Sequence, residues 1–115
     1  MALRLRRGAD GSVEAVALHQ LDDFYTTPHD FVWDLTSSAE TAVEPGDVLV
    51  AYSDGVHECN RGRPGRSIQP HHIASIFKRC SELETFVLEL ATAALIGVDG
   101  HPGGEDNIAV IAVEV

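Results

Sequence analysis

The sequence predicts an α+β fold, in which a mainly antiparallel β-sheet carries a pair of helices on one face. The order of segments is the first indication, because β-type segments come first, two helical segments follow and a β-type segment comes last. A hairpin signal, Asp10-Gly11, between two short β-type segments is the second. The length of 115 residues is typical of one domain, so we expect a single domain over residues 1–115.

The strands are predicted from their alternation of apolar and polar residues and from their β-branched and aromatic content. Two strands, over residues 3–7 and 13–18, flank the hairpin turn. Residues 31–35 alternate like a half-buried strand, and residues 47–52 carry the strongest strand signal. The last strand, over residues 108–115, is nearly all apolar, so we expect it in the centre of the sheet.

Two helices are predicted between the last two strands. The first begins near Pro70, which suits a first turn, and its adjacent histidines, His71 and His72, are expected at the surface. The second begins at a capping box over residues 81–84 and ends by Gly97. Their apolar faces consist of Ile73, Ile76 and Phe77 in the first helix, and Leu83, Phe86, Val87, Leu90, Ala91 and Ala94 in the second.

The composition restricts the partners of the chain. Its net charge is −10, from 8 basic and 18 acidic residues, whereas nucleic acids and anionic membranes attract basic surfaces. The two cysteines, Cys59 and Cys80, show neither a disulfide framework nor zinc-site spacing. The sequence has no secretory signal and no apolar stretch of membrane-spanning length. We therefore expect a cytoplasmic protein with no nucleic-acid or membrane partner.

Two aspartates lie at the ends of strong strand signals. Asp54 follows the strand over residues 47–52, and Asp106 precedes the strand over residues 108–115. If these strands are antiparallel neighbours, both carboxylates lie at the same edge of the sheet. Magnesium and manganese prefer carboxylate and water oxygens. A lone Asp-Gly is more often a turn than a metal ligand, and a lone Asp-Asn often just starts a strand, so the indication of a metal site comes from the pair.

The segments around these aspartates form two motifs in a fixed order, with the two predicted helices between them. The first is a strand that ends in Ser53-Asp54-Gly55, and the second is the glycine-rich segment of residues 103–107, GGEDN, followed by a strand. In both motifs the sequence resembles the C-terminal half of the metal-dependent protein phosphatase family (type 2C), in its bacterial sporulation stage II E branch. The resemblance covers the chain from about Glu44 onward.

The resemblance implies a function and a site. The family binds two magnesium or manganese ions and hydrolyses phosphoserine or phosphothreonine on proteins with metal-activated water. Transferred by motif, Asp54 and Asp106 are metal ligands, Gly55 allows close packing beside them, and Asn107 orients the loop.

The resemblance also implies a substrate-contacting region. The basic loop with Arg61, Arg63 and Arg66 corresponds to the variable region in which such enzymes contact substrates. A solvated surface loop is the simpler explanation of these arginines. The implied partner is a phosphorylated protein substrate or a regulatory protein.

The sequence departs from the family pattern in its first half. The family has a further metal-binding Asp-Gly upstream, and nothing before Glu44 matches it, because Asp10-Gly11 resembles a hairpin tip. Three hypotheses therefore stay open: a phosphatase or part of one, a non-catalytic phosphatase-like module that binds a regulatory protein, and an acidic domain whose Asp-Gly turns are purely structural. Half a β-sandwich would expose one face of its sheet, so we expect either a homodimer or low solubility.

Overall fold

The computed structural model describes residues 1–19, 42–58, 68–104 and 106–115. The predicted strand over residues 31–35 lies outside these ranges. The elements in chain order are β1 (Ala2–Arg7), β2 (Val13–His19), β3 (Val48–Tyr52), α1 (Asp54–His57), α2 (Pro70–Arg79), α3 (Leu83–Ile96) and β4 (Val110–Glu114). None of the helices within the described ranges is long and apolar enough to cross a membrane.

The four strands form one antiparallel sheet in the order β2-β1-β3-β4. Helix α2 packs over β2 and β1, helix α3 packs over β4, and the two helices contact each other. Side chains of both helices and of one sheet face form a single apolar core. The predicted α+β fold, with an antiparallel sheet and a helix pair on one face, is confirmed.

The core follows from strand alternation and strand register. In β1, Leu3 and Leu5 point to the helix side, and the register places Val50 beside Leu3 and Val48 beside Leu5. Because paired residues of neighbouring strands share a face, these four side chains form a continuous apolar floor. Phe86, which is fully buried, lies on the helix side of that floor.

The prediction that the last strand is central was wrong for the described part of the sheet. Strand β4 lies at an edge and pairs with β3. Its residues alternate: Val110 and Ala112 are half-buried beside the core, whereas Ile111 and Val113 are 66% and 54% exposed on the opposite face. The apolar composition therefore reflects an exposed apolar strip next to a buried one, which sequence alone does not distinguish from burial on both faces.

The predicted capping box over residues 81–84 was also wrong. Helix α3 begins at Leu83, its N-cap residue is Glu82, and no side chain forms a capping hydrogen bond there. The box requires Ser81 at the N-cap, and the observed start is one residue later.

The start of helix α2 uses a histidine that was expected at the surface. The backbone N–H of Gln69 donates to Nδ1 of His72 at 2.9 Å, and Nε2 of His72 lies 2.9 Å from Oδ2 of Asp99. Because Nδ1 accepts a hydrogen bond, Nε2 carries the proton and donates it to the carboxylate. The side chain of His72 is 14% exposed, so the surface prediction holds for His71 only.

The N-terminal arginines all stabilise the fold. Arg7 lies at the C-terminal end of α2, where its guanidinium donates to the carbonyl oxygens of Phe77 (2.8 Å) and Cys80 (2.6 Å) and stacks over the Phe77 ring. A cation at a helix C-terminus satisfies carbonyl groups that have no partner in the helix. Arg4 forms an ion pair with Glu14 at 2.9 Å.

Arg6 forms a bidentate pair with Asp47, which is only 1% exposed. Nε and Nη2 of the arginine donate to Oδ1 and Oδ2 of the aspartate, both at 2.8 Å, and the backbone N–H of Glu44 donates to Oδ2 at 2.8 Å. These hydrogen bonds, that from Arg6 above all, lower the pKa of Asp47 to about 2. The pair connects β1 to the start of β3.

We expect this pair to make stability depend on pH in acid. The folded-state pKa of Asp47 is below the ordinary value of about 3.9, so its contribution is fully present above pH 4 and is lost as pH falls from about 4 to about 2. Urea denaturation between pH 5 and pH 2 should show a shallower fall in the free energy of unfolding for Asp47→Asn than for the wild type. Arg6→Gln removes the other partner of the pair. It should make the fall in the free energy of unfolding shallower over the same pH range. An unchanged slope in Asp47→Asn would contradict this assignment.

Candidate metal centre

The register of β3 and β4 brings the two sequence motifs together. Tyr52, the last residue of β3, pairs with Val110, the first residue of β4. Asp54 lies two residues beyond Tyr52, and Asp106 lies four residues before Val110, so both belong to the same end of this strand pair. Both side chains are exposed. The condition that the two strands are antiparallel neighbours is met, and metal binding by the aspartates stays a prediction.

Ser53 joins the two motifs directly. Its backbone N–H donates to the carbonyl oxygen of Ala109 at 3.0 Å, which continues the strand pairing by one residue. Its hydroxyl accepts from the N–H of Ala109 at 3.0 Å and donates to the carbonyl oxygen of Asn107 at 3.2 Å. Ser53 belongs to the first sequence motif, but nothing in the sequence indicates this role.

Gly55 allows the loop before β4 to lie against α1. A Cβ atom at this position would lie 2.0 Å from the carbonyl oxygen of Asn107, which is closer than real Cβ contacts come. Because Gly55 has no side chain, the backbone of α1 and the backbone of the loop before β4 can touch. Asn107 takes part through its backbone, and its N–H donates to Oδ1 of Asp106 at 2.7 Å.

The glycine-rich loop before Asp106 is held by helix α3. The backbone N–H of Gly103 donates to the carbonyl oxygen of Ile96, and that of Gly104 donates to the carbonyl oxygen of Ala94, each at 3.0 Å. These bonds satisfy carbonyl groups at the C-terminal end of the helix. The loop is thus attached to α3 on one side of Asp106 and to Ser53 on the other.

Asp54 and Asp106 carry the type of donor atom that hard divalent cations prefer. Magnesium is commonly held by one or two carboxylates and keeps several waters, so two exposed aspartates at one strand end match its requirements. Within the four described ranges, however, no three His, Cys, Asp or Glu side chains form a group that would hold a metal. The described residues therefore do not form a metal site of three or more side chains, and Asp54 and Asp106 are the two that the sequence motifs single out.

Other predicted and prominent features lie elsewhere. Arg61, Arg63 and Arg66 lie outside the described residues, so their predicted substrate contacts are untested.

A cavity of about 570 Å³ is lined by Arg6, Asp47 and Glu114 among others, which places it at the opposite end of β3 and β4 from the two aspartates. A larger cavity, of about 810 Å³, is lined by Ser12, Gln69 and His71 among others. Neither cavity is lined by Asp54 or Asp106, so the candidate site rests on the aspartates alone.

Comparison of the chain with protein-family models, with curated proteins and with solved structures found no match. The resemblance to metal-dependent phosphatases thus rests on the sequence motifs alone and stays a prediction.

Proposed function

We propose that this chain carries part of the metal site of a metal-dependent serine/threonine phosphoprotein phosphatase. The observation that carries the proposal is the antiparallel pairing of β3 with β4, which brings Ser53-Asp54-Gly55 to the segment that contains Asp106 and Asn107. The strand pairing accounts for the meeting of the two motifs, and metal binding by their aspartates is the step that the proposal adds.

In this proposal, the carboxylates of Asp54 and Asp106 hold magnesium or manganese at the end of the strand pair formed by β3 and β4. When bound, such an ion supplies an activated water molecule and positive charge for phosphoester hydrolysis. Ser53 and Gly55 keep the two carboxylate-bearing segments in contact. Arg61, Arg63 and Arg66 are proposed to contact the phosphorylated protein substrate. We place the activity in the cytoplasm, in keeping with a buried cysteine, Cys80, that is a free thiol.

The test is manganese-dependent hydrolysis of an aryl phosphate by the purified chain. Turnover in the wild type requires that a second copy of the chain, or residues beyond Asp54 and Asp106, complete the site. Where turnover is present, we expect a loss of at least about 100-fold in Asp54→Asn and in Asp106→Asn, since removal of groups that merely support a ligand already costs 10–100-fold. Asp10→Asn is the matched control, because Asp10-Gly11 is the other Asp-Gly pair before the helices and belongs to the exposed β1–β2 turn. Its activity should equal that of the wild type.

Manganese-independent hydrolysis, or equal turnover in all variants, would contradict the proposal. Both results would show that the two aspartates do not hold a metal that activates water.

A second candidate function is a non-catalytic interaction module. It is favoured by the exposed apolar strip of edge strand β4, formed by Ile111, Val113 and Val115. Edge strands with apolar side chains and without Lys or Pro tend to pair with another chain. A homodimer or a complex with a regulatory protein would cover this strip. Absence of turnover in the wild type, together with a dimer in sedimentation velocity, would favour this candidate over the phosphatase.

A further inference from the structure

Ser53 is the point at which β3 turns into helix α1. Its carbonyl oxygen accepts from the N–H of Val56 at 3.1 Å, as the N-cap residue of a helix does. Its own N–H donates to Ala109 of the neighbouring chain segment at 3.0 Å, as a strand residue does. The backbone of Ser53 therefore serves both elements at once.

This double use leaves a gap in the strand pairing. Directly opposed residues of a hydrogen-bonded antiparallel pair exchange two N–H···O=C bonds. Between Ser53 and Ala109 one of the two is present, and the carbonyl that would complete the second is turned towards Val56. The Ser53 hydroxyl takes its place and accepts from the N–H of Ala109 at 3.0 Å.

The hydroxyl also has an alternative that it does not use. A serine at the N-cap normally accepts a hydrogen bond from an N–H of the first helical turn. No side-chain capping bond is formed at α1, and the Ser53 hydroxyl instead donates to the carbonyl oxygen of Asn107 at 3.2 Å. Helix capping therefore does not account for this serine, whereas attachment of the loop before β4 does.

We propose that Ser53 is a positioning residue for the candidate metal centre, whose hydroxyl holds the Asp106 loop against the strand end that carries Asp54. The consequence for metal binding rests on the proposed function. The hydroxyl donates a hydrogen bond to the carbonyl oxygen of Asn107, which directly follows Asp106. Ser53 itself directly precedes Asp54. A shift of either segment would therefore change the separation of the two carboxylates. Threonine retains the hydroxyl, so Ser53→Thr should keep the loop in place. Alanine lacks the hydroxyl, so Ser53→Ala should not.

The experiment combines two NMR measurements on the ¹⁵N-labelled chain. Hydrogen exchange of the Ala109 amide reports the bond to the hydroxyl, and paramagnetic broadening of the Gly55 and Asn107 amides during a manganese titration reports metal binding. In Ser53→Ala we expect faster exchange at Ala109 and at least about a tenfold higher manganese concentration for half-maximal broadening, as for other groups that orient metal ligands. Ser53→Thr should behave as the wild type.

Ser75→Ala is the matched control. The Ser75 hydroxyl also donates to a backbone carbonyl, that of His71 at 2.9 Å, but within helix α2 and away from the aspartates. It should leave both measurements unchanged.

Two outcomes separate this proposal from the proposed function. Manganese broadening in the wild type with the same midpoint in Ser53→Ala would overturn the positioning role alone. No broadening at Gly55 and Asn107 in the wild type would overturn the proposed metal site, and the Ala109 amide would still decide whether Ser53 holds the loop. If Ser53→Ala loses its dispersed spectrum, Ser53→Thr decides, because loss of manganese binding in that variant would overturn the proposal.

Discussion

The Gly55→Ala substitution is expected to lower the free energy of unfolding by about 2–3 kcal/mol and to separate the two segments of the candidate metal centre. The added Cβ would lie 2.0 Å from the carbonyl oxygen of Asn107 and 2.8 Å from its carbonyl carbon. Both are backbone atoms, so no side-chain rotation relieves the clash. At an open helical position, the same substitution would stabilise by roughly 0.5–1 kcal/mol, so the sign of the change is informative.

Urea denaturation followed by circular dichroism measures this change, and the Asn107 amide signal in NMR spectra reports the loop. Gly100→Ala is the matched control, since Gly100 has a φ of +78° but open space around the position of a Cβ. It should cost about 1–2 kcal/mol through backbone strain and leave the Asn107 signal in place. Unchanged or increased stability of Gly55→Ala would show that α1 and the loop are not in contact.

The Phe86→Ala substitution is expected to cost about 3–5 kcal/mol, the usual range for loss of a buried aromatic ring. Phe86 is fully buried in α3, and its ring meets that of Phe77 in α2 edge to face, with centroids 5.1 Å apart. The substitution removes the main contact between the two helices and leaves a cavity above the sheet. Domains of this kind have a total stability of about 5–15 kcal/mol, so we expect the variant to lose much of its folded population.

Leu88→Ala is the matched control for this substitution. Leu88 lies two residues further along the same helix and is 62% exposed, so its truncation should change the free energy of unfolding by no more than about 0.5 kcal/mol. Thermal and urea denaturation of both variants give the comparison. Similar losses in the two variants would mean that Phe86 does not lie in the core.

Most elements of this fold follow from local patterns, which is why the sequence predicts them. The short helix α1, at a position where the sequence indicated a turn, was not predicted. The Asp10-Gly11 turn has a defined backbone preference, and the apolar face of α3 repeats at helical spacing. The start of α3 and the place of β4 were mistaken for a physical reason. The first residue of a helix can lie one position away from the one that a capping motif indicates. A strand of apolar residues has the same sequence pattern whether both of its faces are buried or one is exposed.

Some features of the candidate site can be expected from the sequence, and others are visible only in the structure. The common location of Asp54 and Asp106 depends on the antiparallel pairing of β3 with β4, which the sequence offered only as a condition and the structure shows. The role of Ser53 does not, because it depends on the direction in which its carbonyl turns after β3. The contact at Gly55 could be suspected from the glycine alone, but its partner, the backbone of Asn107, is visible only in three dimensions.

Attachment of the loop at both ends also limits how the length of the chain can change in evolution. Gly103 and Gly104 are bonded to α3, and Ala109 is bonded to Ser53, so an added or deleted residue within either group would move N–H donors away from their acceptors. The exposed β1–β2 turn at residues 8–11 carries no such double attachment, and exposed turns are where insertions are tolerated. Homologous chains should therefore vary in length at this turn while keeping the spacing between α3 and β4.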